Sequence, residues 1–272
     1  MLFNGSKFQL VRYGPNDELK HNTLYFTENT EHIIERCSSV RDLGVILSDT
    51  GKFEDHIVKV SKKVRQKVGW ILRSFYTRRA DVLKHLWKTL VQCHIDYCSQ
   101  LYMPTQAQDL QTIEKLFYNF TSKIPQVRDL DYWSRLSALK MYSQERRMER
   151  YRILYMWKVL EGIVPNCGVD LAPHNERLGR KVNIPGLKRN GRRAVQTMRE
   201  KSFQINGARL FNSLPLKIRN MKCSQEDFKI AFDMYLSSVP DQPRMGSLVP
   251  AATDQLMGRQ SNSLLAWATY DQ

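Results

Sequence analysis

The sequence predicts a mainly α-helical chain: a helical bundle preceded by a short β-rich segment, with a disordered basic linker and a flexible C-terminal tail. Three observations carry this. From Lys52 to Gly162 apolar residues recur at three- and four-residue steps. Residues 1–50 instead hold short alternating runs closed by turn residues. Residues 169–202 and 241–272 carry little periodicity of either kind.

In chain order, Phe8–Tyr13 alternates and ends in the turn signal Gly14-Pro15-Asn16-Asp17. Thr23–Phe26 is a second expected strand, closed by Glu28-Asn29-Thr30. Val40–Leu47 is a third, with Gly44 inside it as a bulge or a point of close backbone approach. Three short strands cannot bury two faces, so the segment reads as the edge of a larger sheet. Helices are expected over His56–Phe75, Ala80–Leu101, Gln108–Ile124 and Tyr132–Met141. Another starts at the N-cap Ser143 and ends at Gly162 with Pro165 beyond it. Arg177, Arg180, Lys181, Lys188, Arg189, Arg192 and Arg193 make residues 170–202 a basic linker. Order returns at Phe203–Pro215, and a capping box at Ser224 and Asp227 opens a last helix through Phe228, Phe232, Tyr235 and Leu236.

The 272 residues carry 42 Lys+Arg against 27 Asp+Glu, a net charge of +15. That balance favours a polyanion, nucleic acid first and an anionic membrane surface second. No apolar run approaches the roughly 20 residues of a membrane span, and the start does not read as a signal peptide. Five scattered cysteines suit reduced thiols. An intracellular protein, nuclear or cytoplasmic, is the expectation.

The charge concentrates on the first helix. Ile57, Val60, Val64, Val68, Ile71, Leu72 and Phe75 fall on one face, and Lys59, Lys62, Lys63, Arg65, Lys67 and Arg73 mostly on the rest. Such a helix is either a solvated surface element or one suited to lie along a phosphate backbone. Other chemistry is thin. Asp129 and Asp131 read as a surface charge and a helix cap, and Cys93 and Cys98 as core cysteines rather than zinc ligands. Trp70, Trp87, Trp133 and Trp157 lie in apolar helical patterns and read as core anchors. Arg192-Arg193 reads equally as an RNA or duplex contact and as a solvated linker.

Several stretches, in order over about residues 3 to 243, resemble the C-terminal part of a reverse transcriptase from a jockey-like non-long-terminal-repeat retrotransposon. Phe3-Asn4-Gly5-Ser6-Lys7-Phe8 resembles the asparagine-lysine motif of the palm, and Arg41-Asp42-Leu43-Gly44-Val45 the leucine-glycine turn of the primer grip. Phe53, His56-Ile57 and Gly69–Phe75 resemble the thumb helix. Glu145-Arg146-Arg147, Tyr151 and Trp157–Asn166 resemble the post-thumb region, and Phe211-Asn212-Ser213-Leu214-Pro215 the far C-terminal signature. The resemblance divides the chain into a palm remnant with primer-grip-like strands (1–50), a thumb-like helical region (51–125) and post-thumb helices (126–168). The basic linker (169–202), a C-terminal helical segment (203–240) and the tail (241–272) follow.

The resemblance also implies roles. The thumb lays its helix on primer-template, RNA–DNA hybrid or DNA. Leu43 and Gly44 belong to the primer grip, where a glycine lets the backbone come close. Lys7 lies near the nucleotide phosphates, where a cation stabilises developing charge. The parent enzyme uses Mg²⁺ held by paired aspartates in an Ala-Asp-Asp hairpin. This sequence has no adjacent aspartates, and the nearest look-alike is Ala80-Asp81. The fingers and the first metal aspartate are missing too, so no cofactor and no polymerisation are expected of this chain alone. Non-specific nucleic-acid binding is the function expected, with a separate palm and fingers as protein partners and no membrane. Three alternatives stay open: the tail of a longer active RNA-directed DNA polymerase, a host helical protein-interaction scaffold, and an unselected remnant.

Overall fold

The computed structural model describes residues 7–13, 23–27, 30–102, 104, 107–166, 168–173, 179–184, 186, 199–242 and 263–265. The chain divides into two units, Met1–Lys59 and Val60–Gln272.

In the first unit, β1 (Thr23–Thr27) pairs antiparallel with β2 (Thr30–Ile34), Leu24 opposite Ile33. The second strand was not expected, since Thr30 read as part of a turn. β3 (Ser39–Asp42) pairs with β4 (Val45–Ser48), Asp42 opposite Val45. Val40–Leu47 is therefore a hairpin and not a single bulged strand. Leu43 and Gly44 make its two-residue turn, both at positive φ (43° and 93°). Such turns match the twist of paired strands, which is why the chain reverses there. Within the expected strand Phe8–Tyr13, Leu10 forms an isolated parallel bridge to Arg36. Among the described residues the strands form two separate ladders, and no larger sheet is present.

Helix α1 (Glu54–Ser74) begins in this unit, with Glu54 and Asp55 in its first turn, where the helix dipole favours anions. The Ile46 N–H donates to Nδ1 of buried His56 at 3.4 Å. Burial, and then the charge of Lys59, lowers the His56 pKa, which suits a neutral ring accepting through Nδ1.

In the second unit, α1 is closed by Arg78, whose guanidinium donates to the carbonyls of Leu72 (2.6 Å) and Phe75. A continuous helical stretch follows: α2 (Ala80–Leu86), a π turn (Trp87–Val91) and α3 (Gln92–Asp96). Trp87 is buried against Phe117 and Phe120 of α4 (Ala107–Thr121), at 4.8 and 4.7 Å between ring centroids. Asp131 caps α5 (Tyr132–Leu139), accepting from the amides of Trp133 and Ser134, in keeping with the sequence reading. Ser143 caps α6 (Gln144–Leu160), accepting from Arg146 N at 3.2 Å. At the other end Gly162 (φ 69°) lets Ile163 N–H return to Lys158 O at 2.9 Å.

Helix α6 forms where the sequence places it, and it buries ionisable as well as apolar side chains. Its C-terminal half is apolar, and Trp157 stacks on Phe228 at 4.5 Å. Its N-terminal half buries Gln144, Glu145, Arg146, Glu149 and Arg152. Glu114 accepts from Tyr132 Oη and from Gln144 N at 2.9 Å. Gln144 also exchanges amide hydrogen bonds with Gln92, itself held by Trp87 Nε1 at 2.6 Å. Arg147 grips Asp96 through Nε and Nη2 (3.0 and 2.7 Å), and Arg150 grips Asp233 in the same two-point manner (2.5 and 2.7 Å). Arg152 donates through Nη1 to Lys201 O and Asn206 Oδ1, both at 2.9 Å.

Two segments expected to lack structure are partly built into this unit. In the linker, Val169 and Val182 are buried, and Leu171 bridges Val182. Asn212 holds Val182 by both backbone groups, N–H at 2.9 Å and C=O at 2.8 Å, so one side chain substitutes for a strand. In the tail, Asp241 accepts from Ser143 N and Oγ at 2.6 and 2.7 Å. Buried Leu264 donates its N–H to Glu149 at 2.9 Å, and Ser263 Oγ donates to the same carboxyl. Arg177, Lys188, Arg189, Arg192 and Arg193 lie outside the described residues. A π turn (Phe203–Gly207) and α7 (Ala208–Asn212), then α8 (Leu216–Arg219) and α9 (Gln225–Ser238), complete the unit. No described helix is long and apolar enough to cross a membrane.

Two predictions follow from these buried groups. Burial pushes the Glu114 carboxyl up to about 8, and burial plus the charge of Glu145 raises Glu149. Both hold protons in the folded chain that the unfolded chain has released, so stability is fullest in acid and falls as pH climbs through that range. The lowered imidazoles of His56 and His94 act in the opposite sense, but only below about pH 7, where the unfolded ring still protonates. Between about pH 7 and pH 8.5 the unfolding free energy should therefore drop by on the order of 2 kcal/mol. Urea melts at both pH values measure this, and an unchanged midpoint would contradict neutral burial. Separately, Asn212→Ala strands both backbone groups of Val182. It should cost about 1–3 kcal/mol and speed hydrogen exchange at the Val182 amide; an amide that stays protected would mean the brace is dispensable.

Candidate nucleic-acid interface

At about 100° per residue, the buried residues of α1 occupy one arc of the helix and its cations occupy the remainder. Val60, Val64 and Ile71 are buried, with Val68 and Leu72 half-buried beside them. Lys59, Lys62, Lys63, Arg65 and Arg73 are exposed, and Lys67 is half-buried. The predicted cations thus share one side of a single helix. None of the six is in an ion pair among the described residues. This contrasts with Arg146, Arg147 and Arg150 of α6, which pair with Asp241, Asp96 and Asp233.

Gly69 lies between Arg65 and Arg73 on the helix surface. The Arg73 guanidinium lies against it, so that a Cβ there would meet Arg73 Nη1 at 3.1 Å.

The sequence reading missed two members of this surface. Trp70, expected in the core, is 44% exposed, with Lys67 Nζ 5.9 Å from its ring centroid and Phe75 edge-on at the same distance. Its helical angle places it beside Lys63 rather than on the apolar arc, and that angle was the available signal. His94 of α3 is the other. Burial, and then the charges of Lys63 and Lys67, lowers its pKa, so α3 brings an imidazole to the basic face. Nothing in the local pattern of α3 announces this, because the proximity is tertiary.

The remaining candidates belong to the first unit. Leu43 and Gly44 sit together at the β3–β4 tip, where Leu43 is 84% exposed in a left-handed conformation that bulky residues rarely adopt. Lys7 is exposed on a separate segment, ahead of the Leu10 bridge. Asn4, Gly5 and Ser6 lie outside the described residues.

Cys93 is exposed and Cys98 half-buried, which corrects their reading as core cysteines. Among the described residues no group of three His, Cys, Asp or Glu is placed to hold a metal ion. Unpaired cations, an exposed indole and a nearby imidazole on one surface form an array suited to phosphates and base faces. No protein-family model, no curated protein and no solved structure matches this chain.

Proposed function

We propose that this chain is a retrotransposon-derived reverse transcriptase fragment that binds nucleic acid without sequence preference, through the exposed face of α1. The observation that carries this reading is the unpaired basic face. Among the described residues Lys59, Lys62, Lys63, Arg65, Lys67 and Arg73 are in no ion pair, while Arg146, Arg147 and Arg150 of α6 are paired. Surplus cations on one side of a rigid helix neutralise successive phosphates and release counterions. Trp70 adds a stacking surface that tolerates any base. The retrotransposon origin rests on the ordered motifs of the sequence. In that reading the exposed Leu43-Gly44 tip serves as a primer-grip-like contact, and Lys7 lies near nucleotide phosphates. The sequence contains no pair of adjacent aspartates to hold the Mg²⁺ of the parent enzyme, so this chain alone does not polymerise.

The test is binding of the purified chain to an RNA–DNA hybrid, single-stranded RNA and duplex DNA of equal length, titrated with salt. Affinity should fall with a log–log slope of roughly −0.7 to −0.9 per phosphate contacted. Changing Lys62, Lys63 and Lys67 to glutamate should flatten that slope and weaken binding to all three. Binding indifferent to the triple change would sink the reading. A local readout comes from His94. Phosphates seated on Lys63 and Lys67 would offset the charges that lower its pKa, so saturation with hybrid should raise the His94 pKa measured by NMR. An unmoved value would place any bound nucleic acid elsewhere.

A further inference from the structure

A second group of cations lies outside α1. An open pocket of about 390 Å³ is lined by Asp81, Lys84, His85 and Lys88 with Ala138 and Leu139, the end of α5. That volume lies within the usual range of small-ligand pockets. Lys84 and Lys88 line this pocket, and Lys140 follows its lining residue Leu139 in the chain. Lys84 is partly buried, and burial followed by the charges of Lys88 and Lys140 lowers its pKa.

The acceptors at the pocket are already committed. Leu139 O accepts from Lys84 Nζ, and the Asp81 carboxylate accepts from Arg79 Nε and Nη2 at 3.2 and 2.8 Å. Among the described residues neither Lys88 nor Lys140 is in an ion pair. Clustered lysines with their acids occupied have one chemical complement, a multiply charged anion with several acceptor oxygens. Each ammonium offers donors that rotate to meet such oxygens.

We propose that this pocket binds a phosphate group, free or within a phosphodiester backbone, through Lys84, Lys88 and Lys140, with His85 at its rim. None of these residues belongs to the α1 face, so this site and that interface stand or fall separately.

The experiment is an NMR titration of the full chain at constant ionic strength, following the Ala138 and Leu139 amides and the His85 ring. One arm adds inorganic phosphate in exchange for chloride. The other adds a short single-stranded oligonucleotide without terminal phosphates to a chain already carrying glutamate at 62, 63 and 67. Saturable shifts are expected in at least one arm. Shifts with inorganic phosphate assign a free anion, and shifts with the oligonucleotide alone assign a backbone phosphate. The double variant Lys88→Gln and Lys140→Gln, checked for an unchanged melting temperature, should weaken that binding about tenfold or more. Substituting the α1 lysines should leave the phosphate affinity as it was. Absence of saturable shifts in both arms would overturn the proposal, as would a double variant that binds like the original chain. The wild-type titration decides this even where the double variant fails to fold.

Discussion

Burial of polar and ionisable side chains along the first half of α6 is the constraint on which the second unit depends. Gln144, Glu145, Arg146, Glu149 and Arg152 are withdrawn from water on a helix whose backbone bonds are already internal. A buried charge deprived of its partner costs about 3–5 kcal/mol and a buried neutral polar group about 1–3 kcal/mol, so the helix requires counterparts at defined places. Those counterparts arrive from far along the chain. Glu114 comes from α4, Gln92 and Asp96 from α2–α3, Asp233 from α9, and Asp241 and Ser263 from beyond it. A purely apolar α6 would tolerate rotation against these neighbours. A helix read by forked arginines and a glutamine pair does not, because hydrogen bonds are directional.

This interior arrangement shapes the exterior. Asp96, Asp233 and Asp241 are consumed by the α6 arginines, and Glu161 by Arg180. With those acids occupied, other described cations are left in no ion pair among the described residues. Two clusters result, the exposed face of α1 and the pocket between α2 and α5. The proposed functions of both rest on the same physical fact, positive charge left uncompensated at fixed positions.

The remote anchors follow a similar logic. Asn212 pairs with both backbone groups of Val182, and Arg219 donates to Leu214 O and Arg180 O at 2.9 Å. A stretch with no periodicity of its own thereby gains a single position. Glu149 does the same for Ser263 and Leu264, whose leucine fills the apolar cluster formed around Trp157, Phe211, Phe228 and Phe232.

What the sequence determined by itself is local. Helix periods place α1, α4, α5, α6 and α9. Ser143, Asp131 and Ser224 cap helices because a side chain two or three residues away satisfies a free backbone amide, and Gly162 closes α6 because left-handed backbone suits glycine. The basic arc of α1 is likewise a matter of angles along one helix. Tertiary structure alone decided the rest. It turned Val40–Leu47 into a hairpin, left Trp70 half in solvent, brought His94 toward Lys63 and Lys67, and brought Lys140 toward Lys84. It also buried the charged half of α6, which by composition reads as a solvated surface. The reason is that a charge is stabilised by its nearest counter-charge in space, and for α6 that partner lies tens of residues away in sequence, where no periodicity can register it.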